Sequence, residues 1–171
     1  MNALANRASY GDITGSVSLN GVEGDTIGKF PRLTGMVPQD DIMHDDLTVY
    51  ENLSFSAQLR LPSSMTDEQK KAIVEDALHL IGLDLIRDSV VGSPEKRGVS
   101  GGQKKRVNIG IELVAYPRVL FLDEPTRYTL PICVLLSQIL PQIPAHVCFS
   151  MPATVAWTLL EACRLHGAFN A

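Results

Sequence analysis

Along residues 11 to 20 the apolar positions Ile13, Val17 and Leu19 fall on one parity, and the polar positions Thr14, Ser16 and Ser18 on the other. Alternation of this kind predicts a half-buried strand, and Asn20-Gly21 supplies a hairpin turn after it. A second short strand is predicted from Leu33 to Val37, ended by Pro38. The chain therefore opens with a β-rich part.

From Asp46 the period changes to that of helices. Thr48-x-x-Glu51 and Thr66-x-x-Gln69 are capping boxes, each leading into a helical segment. In the second segment Ile73, Val74, Ala77, Leu78 and Ile81 form one apolar face, and Gly82 suits the position just past a helix end. Ser100-x-x-Gln103 is a third box, opening a helix through KKRVNIGIELVA that stops before Pro117. VLFLDEP follows, a continuous apolar run ending in two acids, as in a strand buried on both faces of a parallel sheet. The pattern predicts an α/β protein with a helical insert of two to three helices.

Composition adds little to this picture. The 171 residues suffice for one domain, with or without an appendage. A net charge of -4 gives no reason to expect nucleic acid as a partner. The charges are unevenly placed, however: beyond Arg127 only Glu161 and Arg164 carry any. Cys133, Cys148 and Cys163 all lie in that segment, without the close pairing of zinc or redox motifs, and are expected to be reduced and incidental. Pro131, Pro141, Pro144 and Pro152 cut the uncharged stretch into pieces shorter than the roughly 20 residues of a membrane-spanning helix. A buried or poorly ordered tail is expected there. Met1 to Tyr10 shows no basic region followed by an apolar run, so no signal peptide is predicted.

Three stretches carry chemistry. Ser100-Gly101-Gly102, at a helix start, offers a hydroxyl, N–H groups without a Cβ in the way, and the positive end of a helix dipole, which suits a phosphate. A glycine-rich cap explains the same residues equally well. Asp123-Glu124, at a strand end, sets one carboxylate to hold Mg²⁺ and the next to orient and deprotonate water. Gln39, after a short strand, has an amide oxygen that could reach the metal and the water.

The order VPQ, helical insert, VSGGQKKR, then a strand ending DEP resembles the nucleotide-binding domain of ATP-binding cassette (ABC) transporters. Gln39 matches the Q-loop, Val99 to Gln103 the signature motif, Val119 to Glu124 the Walker B strand, and Glu124 the catalytic glutamate. The wording KRGVSGGQKKRVNIGIEL is most similar to the G subfamily, the white-type half transporters and their pleiotropic-drug-resistance relatives.

The resemblance covers residues 1 to 126. It implies a partial P-loop NTPase fold with a β-rich N-terminal part and a helical signature subdomain, followed by a non-matching tail over 127 to 171. It also implies ATP and Mg²⁺ as cofactors, with ATP hydrolysis coupled to transport. The implied partners are a second nucleotide-binding domain, identical or not, and a transmembrane domain, which together put the chain at the cytosolic face of a membrane. In the family two domains pack head to tail around each ATP. Ser100, Gly101, Gly102 and Gln103 would then bind the nucleotide, with Ser100 and Gly102 contacting the γ-phosphate held by the second domain, while Asp123, Gln39 and Glu124 would serve the chain's own site.

Parts of the family pattern are missing. The lysine-bearing phosphate loop is expected just before residue 1, because Met1 to Arg7 looks like the middle of the helix that follows it. GDTIGKF at 24 to 30 is a decoy, with its glycines one position too close and Phe30-Pro31 where a hydroxyl and a helix should stand. After Thr126 neither the D-loop nor the switch histidine is recognisable, and His146 and His166 are expected to be incidental. The isolated chain is accordingly expected to hydrolyse no ATP, and a second role is open: a non-catalytic piece that docks on an intact domain. Asp40, Asp41, Asp45 and Asp46 around His44 are expected to form a solvated loop, and Lys104-Lys105-Arg106 a charged helix face.

Overall fold

The computed structural model describes residues 34–123, together with the short strands at 18–19, 22–23 and 146–150. Strands β1 (Ser18–Leu19) and β2 (Val22–Glu23) pair antiparallel with Leu19 opposite Val22; the predicted turn at Asn20-Gly21 lies outside the described residues. Strands β3 (Thr34–Val37), β4 (Val119–Asp123) and β5 (His146–Ser150) form a parallel sheet in that order. Val37 pairs with Leu122, and Asp123 with Ser150.

The helical insert between β3 and β4 consists of α1 (Val49–Arg60), α2 (Asp67–Leu80), a 3-10 turn (Asp84–Ile86) and α3 (Gly101–Leu113). All three predicted capping boxes form, with Thr48, Thr66 and Ser100 as N-caps. α2 ends where Gly82 predicted: its φ is 64°, Gly82 N–H donates to His79 O at 3.1 Å and Leu83 N–H to Leu78 O at 3.1 Å. That pair of bonds is the Schellman arrangement, which satisfies carbonyls the helix leaves open. α3 stops at Leu113, slightly earlier than its pattern suggested, and Tyr116 turns the chain with φ 51° ahead of Pro117.

The core lies where the insert meets the sheet. Leu53 of α1, Leu78 and Ile81 of the α2 end, Ile109 of α3, and Leu120 and Leu122 of β4 are all fully buried in one cluster. The close approach of α3 depends on Gly110, where a Cβ would stand 2.7 Å from Ile81 Cδ1 and 3.4 Å from Leu53 Cδ2. Glu112, on the last turn of α3, accepts from Met36 N–H of β3 at 3.1 Å and from Arg60 of α1 at 2.9 Å. One carboxylate thus fixes α3 against both the sheet and α1.

β5 was not foreseen. It comes from the charge-poor segment in which only a tail was expected, and it extends the sheet beside β4.

Candidate functional site

β3 and β4 are adjacent and parallel, so their carboxyl ends open on the same side. Gln39 stands two residues past Val37, the last residue of β3, and Val37 is the register partner of Leu122, the residue before Asp123 at the end of β4. Ligands of open parallel sheets bind in the crevice beyond such ends. The backbone thus brings Gln39 and Asp123 to one edge, as their sequence positions suggested. Glu124 lies outside the described residues, as do Lys29 and the rest of the GDTIGKF stretch. His146 starts β5 opposite Val119, four register positions from the Ser150–Asp123 pair. At about 3.3 Å per residue it sits on the order of 13 Å from the strand ends.

The second half of the candidate site is the start of α3. Ser100 Oγ accepts from Gln103 N–H at 3.3 Å, and Gln103 Oε1 accepts from Ser100 N–H at 2.8 Å. Helix geometry leaves the N–H groups of Gly101 and Gly102 without intrahelical acceptors. The serine oxygen is an acceptor in the cap, so its hydroxyl proton remains to be donated outward. Ser100 and Gly101 are exposed, and a Cβ on Gly101 would meet nothing within 4 Å. No acid occupies the first turn. Donors, open space and an uncompensated dipole end together suit an anion such as a phosphate.

The loop before α3 is held tightly. Val99 N–H donates to Val91 O at 3.0 Å, and a Cβ on Gly98 would lie 2.1 Å from that same oxygen. Glycine is required there by the close approach of two backbones. Gly92 N–H donates to Asp45 O at 2.8 Å, and the Lys104 ammonium donates to Gly92 O.

Lys105 departs from the expected charged helix face. It is 1% exposed, and its Nζ donates to Pro38 O at 2.8 Å and Gln39 O at 2.9 Å, with Asp41 Oδ1 at 3.7 Å. Asn108, one turn on, donates to Asp40 O at 3.5 Å. The signature helix therefore grips the loop that carries Gln39. A signal was present in the sequence: Lys105, Ile109 and Leu113 are spaced by four, so the lysine falls in the apolar stripe of α3. From the other side Asn52 of α1 fixes the same loop, accepting from His44 N–H at 2.9 Å and donating to His44 O at 3.0 Å.

Among the described residues no group of His, Cys, Asp and Glu could by itself hold a metal ion, and no helix is long and apolar enough to cross a membrane. The acidic loop at Asp40 to Asp46 is exposed or half-exposed, as a solvated loop should be.

Comparison with known proteins decides what this arrangement belongs to. The family profile described as ABC transporter matches residues 1–127. The chain belongs to the ABC transporter family. Its relatives are of the G type. It is 49% identical over 126 residues to the putative white-brown complex homolog protein 30 of Arabidopsis thaliana, covering 74% of this chain and 12% of that protein. To the broad substrate specificity ATP-binding cassette transporter ABCG2 of Sus scrofa it is 44% identical over 126 residues, covering 74% of this chain and 19% of that protein. The ABC chain thus spans less than a fifth of the length of these curated relatives. Among solved structures it is similar to the ATP-binding cassette MJ0796, described as a dimer in a post-hydrolysis state bound to ADP and Pi. The TM-score is 0.61 at 22% identity, covering 84% of this chain and 65% of that one. That likeness shows the fold, an α/β ABC ATPase fold of the P-loop NTPase class.

Proposed function

We propose that residues 1–126 act as part of a G-type ABC nucleotide-binding domain that couples ATP hydrolysis to transport through a transmembrane domain. The observation that carries this reading is the pairing of an anion-ready helix start at Ser100–Gln103 with Gln39 and Asp123 at the carboxyl ends of adjacent strands. In this reading Asp123 and Gln39 would hold Mg²⁺ at the chain's own ATP, and Glu124 would take the proton of the attacking water. Ser100, Gly101, Gly102 and Gln103 donate to the γ-phosphate of ATP held by a second nucleotide-binding domain.

ATP would supply the phosphoryl group, and Mg²⁺, when bound, would supply positive charge against its oxygens. The residues of this chain position the water and the metal and aim N–H dipoles at charge that develops during transfer. The gap between the two half-sites is filled by the second domain, and the dimer of MJ0796 supports that arrangement. Membrane association follows from the transmembrane domain rather than from any described helix of this chain.

The test is ATP hydrolysis by the transporter assembled with this chain, wild type against Glu124→Gln. Loss of a general base is expected to slow turnover by about 100-fold or more, with nucleotide binding retained. Equal turnover in the two proteins would reject the reading.

A further inference from the structure

We infer that Lys105 is a positioning residue that ties the signature helix to the metal-binding Gln39, so that the second domain's phosphate and the chain's own metal are sensed through one helix. The inference rests on the reading of Gln39 and Ser100 given above.

Ser100 and Lys105 are five residues apart on one helix, about 7.5 Å along its axis. Between them lies no joint: α3 is continuous from Gly101 to Leu113, and its far half is locked in the core by Ile109, Gly110 and Leu113. The ammonium of Lys105 meets the carbonyls of Pro38 and Gln39 within 0.1 Å of one another in length, and Asp41 stands near enough to balance its charge. The two carbonyls flank the Cα that carries the Gln39 side chain. A buried cation bonded to two carbonyls is costly to leave half-satisfied. Any shift at the exposed start of α3 is therefore passed to the Pro38-Gln39 segment through the two Lys105 hydrogen bonds. A phosphate drawn onto the Gly101 and Gly102 amides thereby acts on the orientation of Gln39 without touching it.

Lys105→Met keeps the length and apolar stem but donates nothing. Lys105→Gln keeps two N–H donors for the same carbonyls and drops the charge.

The experiment measures kcat, the KM for ATP and the Mg²⁺ concentration giving half-maximal rate in the assembled transporter, and, independently of turnover, the affinity for Mn²⁺ by electron paramagnetic resonance with a non-hydrolysable ATP analogue bound. The proteins compared are wild type, Lys105→Met, Lys105→Gln, Gln39→Ala and the double variant Gln39→Ala/Lys105→Met. Loss of a residue that orients a metal ligand commonly costs about 10- to 100-fold in metal affinity or activity. Lys105→Met is therefore expected to lower kcat and raise the Mg²⁺ requirement by about tenfold with KM for ATP little changed, and Lys105→Gln to recover part of the loss. In the Gln39→Ala background Lys105→Met is expected to add nothing, because its effect runs through the side chain already removed.

Additive losses, or a Lys105→Gln variant no better than Lys105→Met, would overturn the inference while leaving the role of Gln39 intact. A Gln39→Ala protein with wild-type kcat and Mg²⁺ requirement would instead remove the reading beneath it. If Lys105→Met does not yield folded protein, the same cycle is run with Lys105→Gln, where a smaller but still non-additive change is expected.

Discussion

The three helices of the insert begin with the same capping box and differ in charge. α1 has Glu51 as the box's partner at the third helical position, and α2 has Asp67 and Glu68 in its first turn beside Gln69. Glu51 accepts from Thr48 N–H and Thr48 Oγ, both at 2.8 Å. Those bonds, the backbone one foremost, hold its carboxyl below the ordinary value of 4.5. α3 makes the same box with the neutral Gln103 and places two glycines where α1 and α2 carry side chains. The comparison separates two uses of one local motif. An acid at the start of α1 and α2 answers the helix dipole from within the chain. At α3 the hydrogen bonds of the cap are satisfied and the dipole is left for something brought from outside.

The sharpest way to break this contrast is to give α3 the acid its neighbours have. Gly101→Asp has room for its side chain, and an acid there favours the helix, so the thermal midpoint should hold. ATP hydrolysis by the assembled transporter should fall on the order of 100-fold, the scale of losing a donor to developing charge. Unchanged hydrolysis would reduce the start of α3 to a cap like the others.

Next in size is the contrast along α3 itself. Gly110→Ala forces a methyl against Ile81 and Leu53 and should cost about 1–3 kcal/mol in urea denaturation. Gly101→Ala, in open space, should stay within about 0.5 kcal/mol of wild type. Equal effects would mean that the two ends of the helix are not differently packed.

Thr48→Ala and Ser100→Ala sharpen the comparison further. Each removes an N-cap and should lower stability by about 1 kcal/mol. Only Ser100→Ala should also slow ATP turnover, because only that hydroxyl is assigned a phosphate.

The smallest expected effect is in pH. Since the folded pKa of Glu51 lies below 4.5, its stabilisation is present above that value and is lost as pH falls through the folded pKa. The midpoint of thermal unfolding should therefore decline more on acidification below about pH 4.5 in wild type than in Glu51→Gln. Parallel curves would show that the box on α1 gains nothing from its charge.

How far the sequence foretold the structure follows from how local each feature is. The helix starts at Thr48, Thr66 and Ser100 were readable because a capping box needs only four consecutive residues. The end at Gly82 was readable because only glycine suits that φ. The unbroken apolar run VLFL, ending in two acids, announced a doubly covered strand. β5 gave no such warning: HVCFS has neither alternation nor length, and it becomes a strand by pairing with β4. Lys105 was misread because a lysine between a lysine and an arginine is ordinarily solvated. Its burial is decided by two carbonyls more than 60 positions away. Gln39 and Asp123 were assigned from motif order, and the pairing of β3 with β4 explains why that order matters. The Glu124 side chain rests on its motif alone.

Glu112 has a bearing on solubility as well as on packing. Among the described strands β3 lies at the margin of the sheet, and a marginal strand offers its amides to any extended segment that drifts past. The carboxylate seated on Met36 N–H occupies one of those amides from the side on which a foreign strand would have to register. Its link to Arg60 keeps it there, so the contact that orients α3 also denies self-templating growth along the sheet.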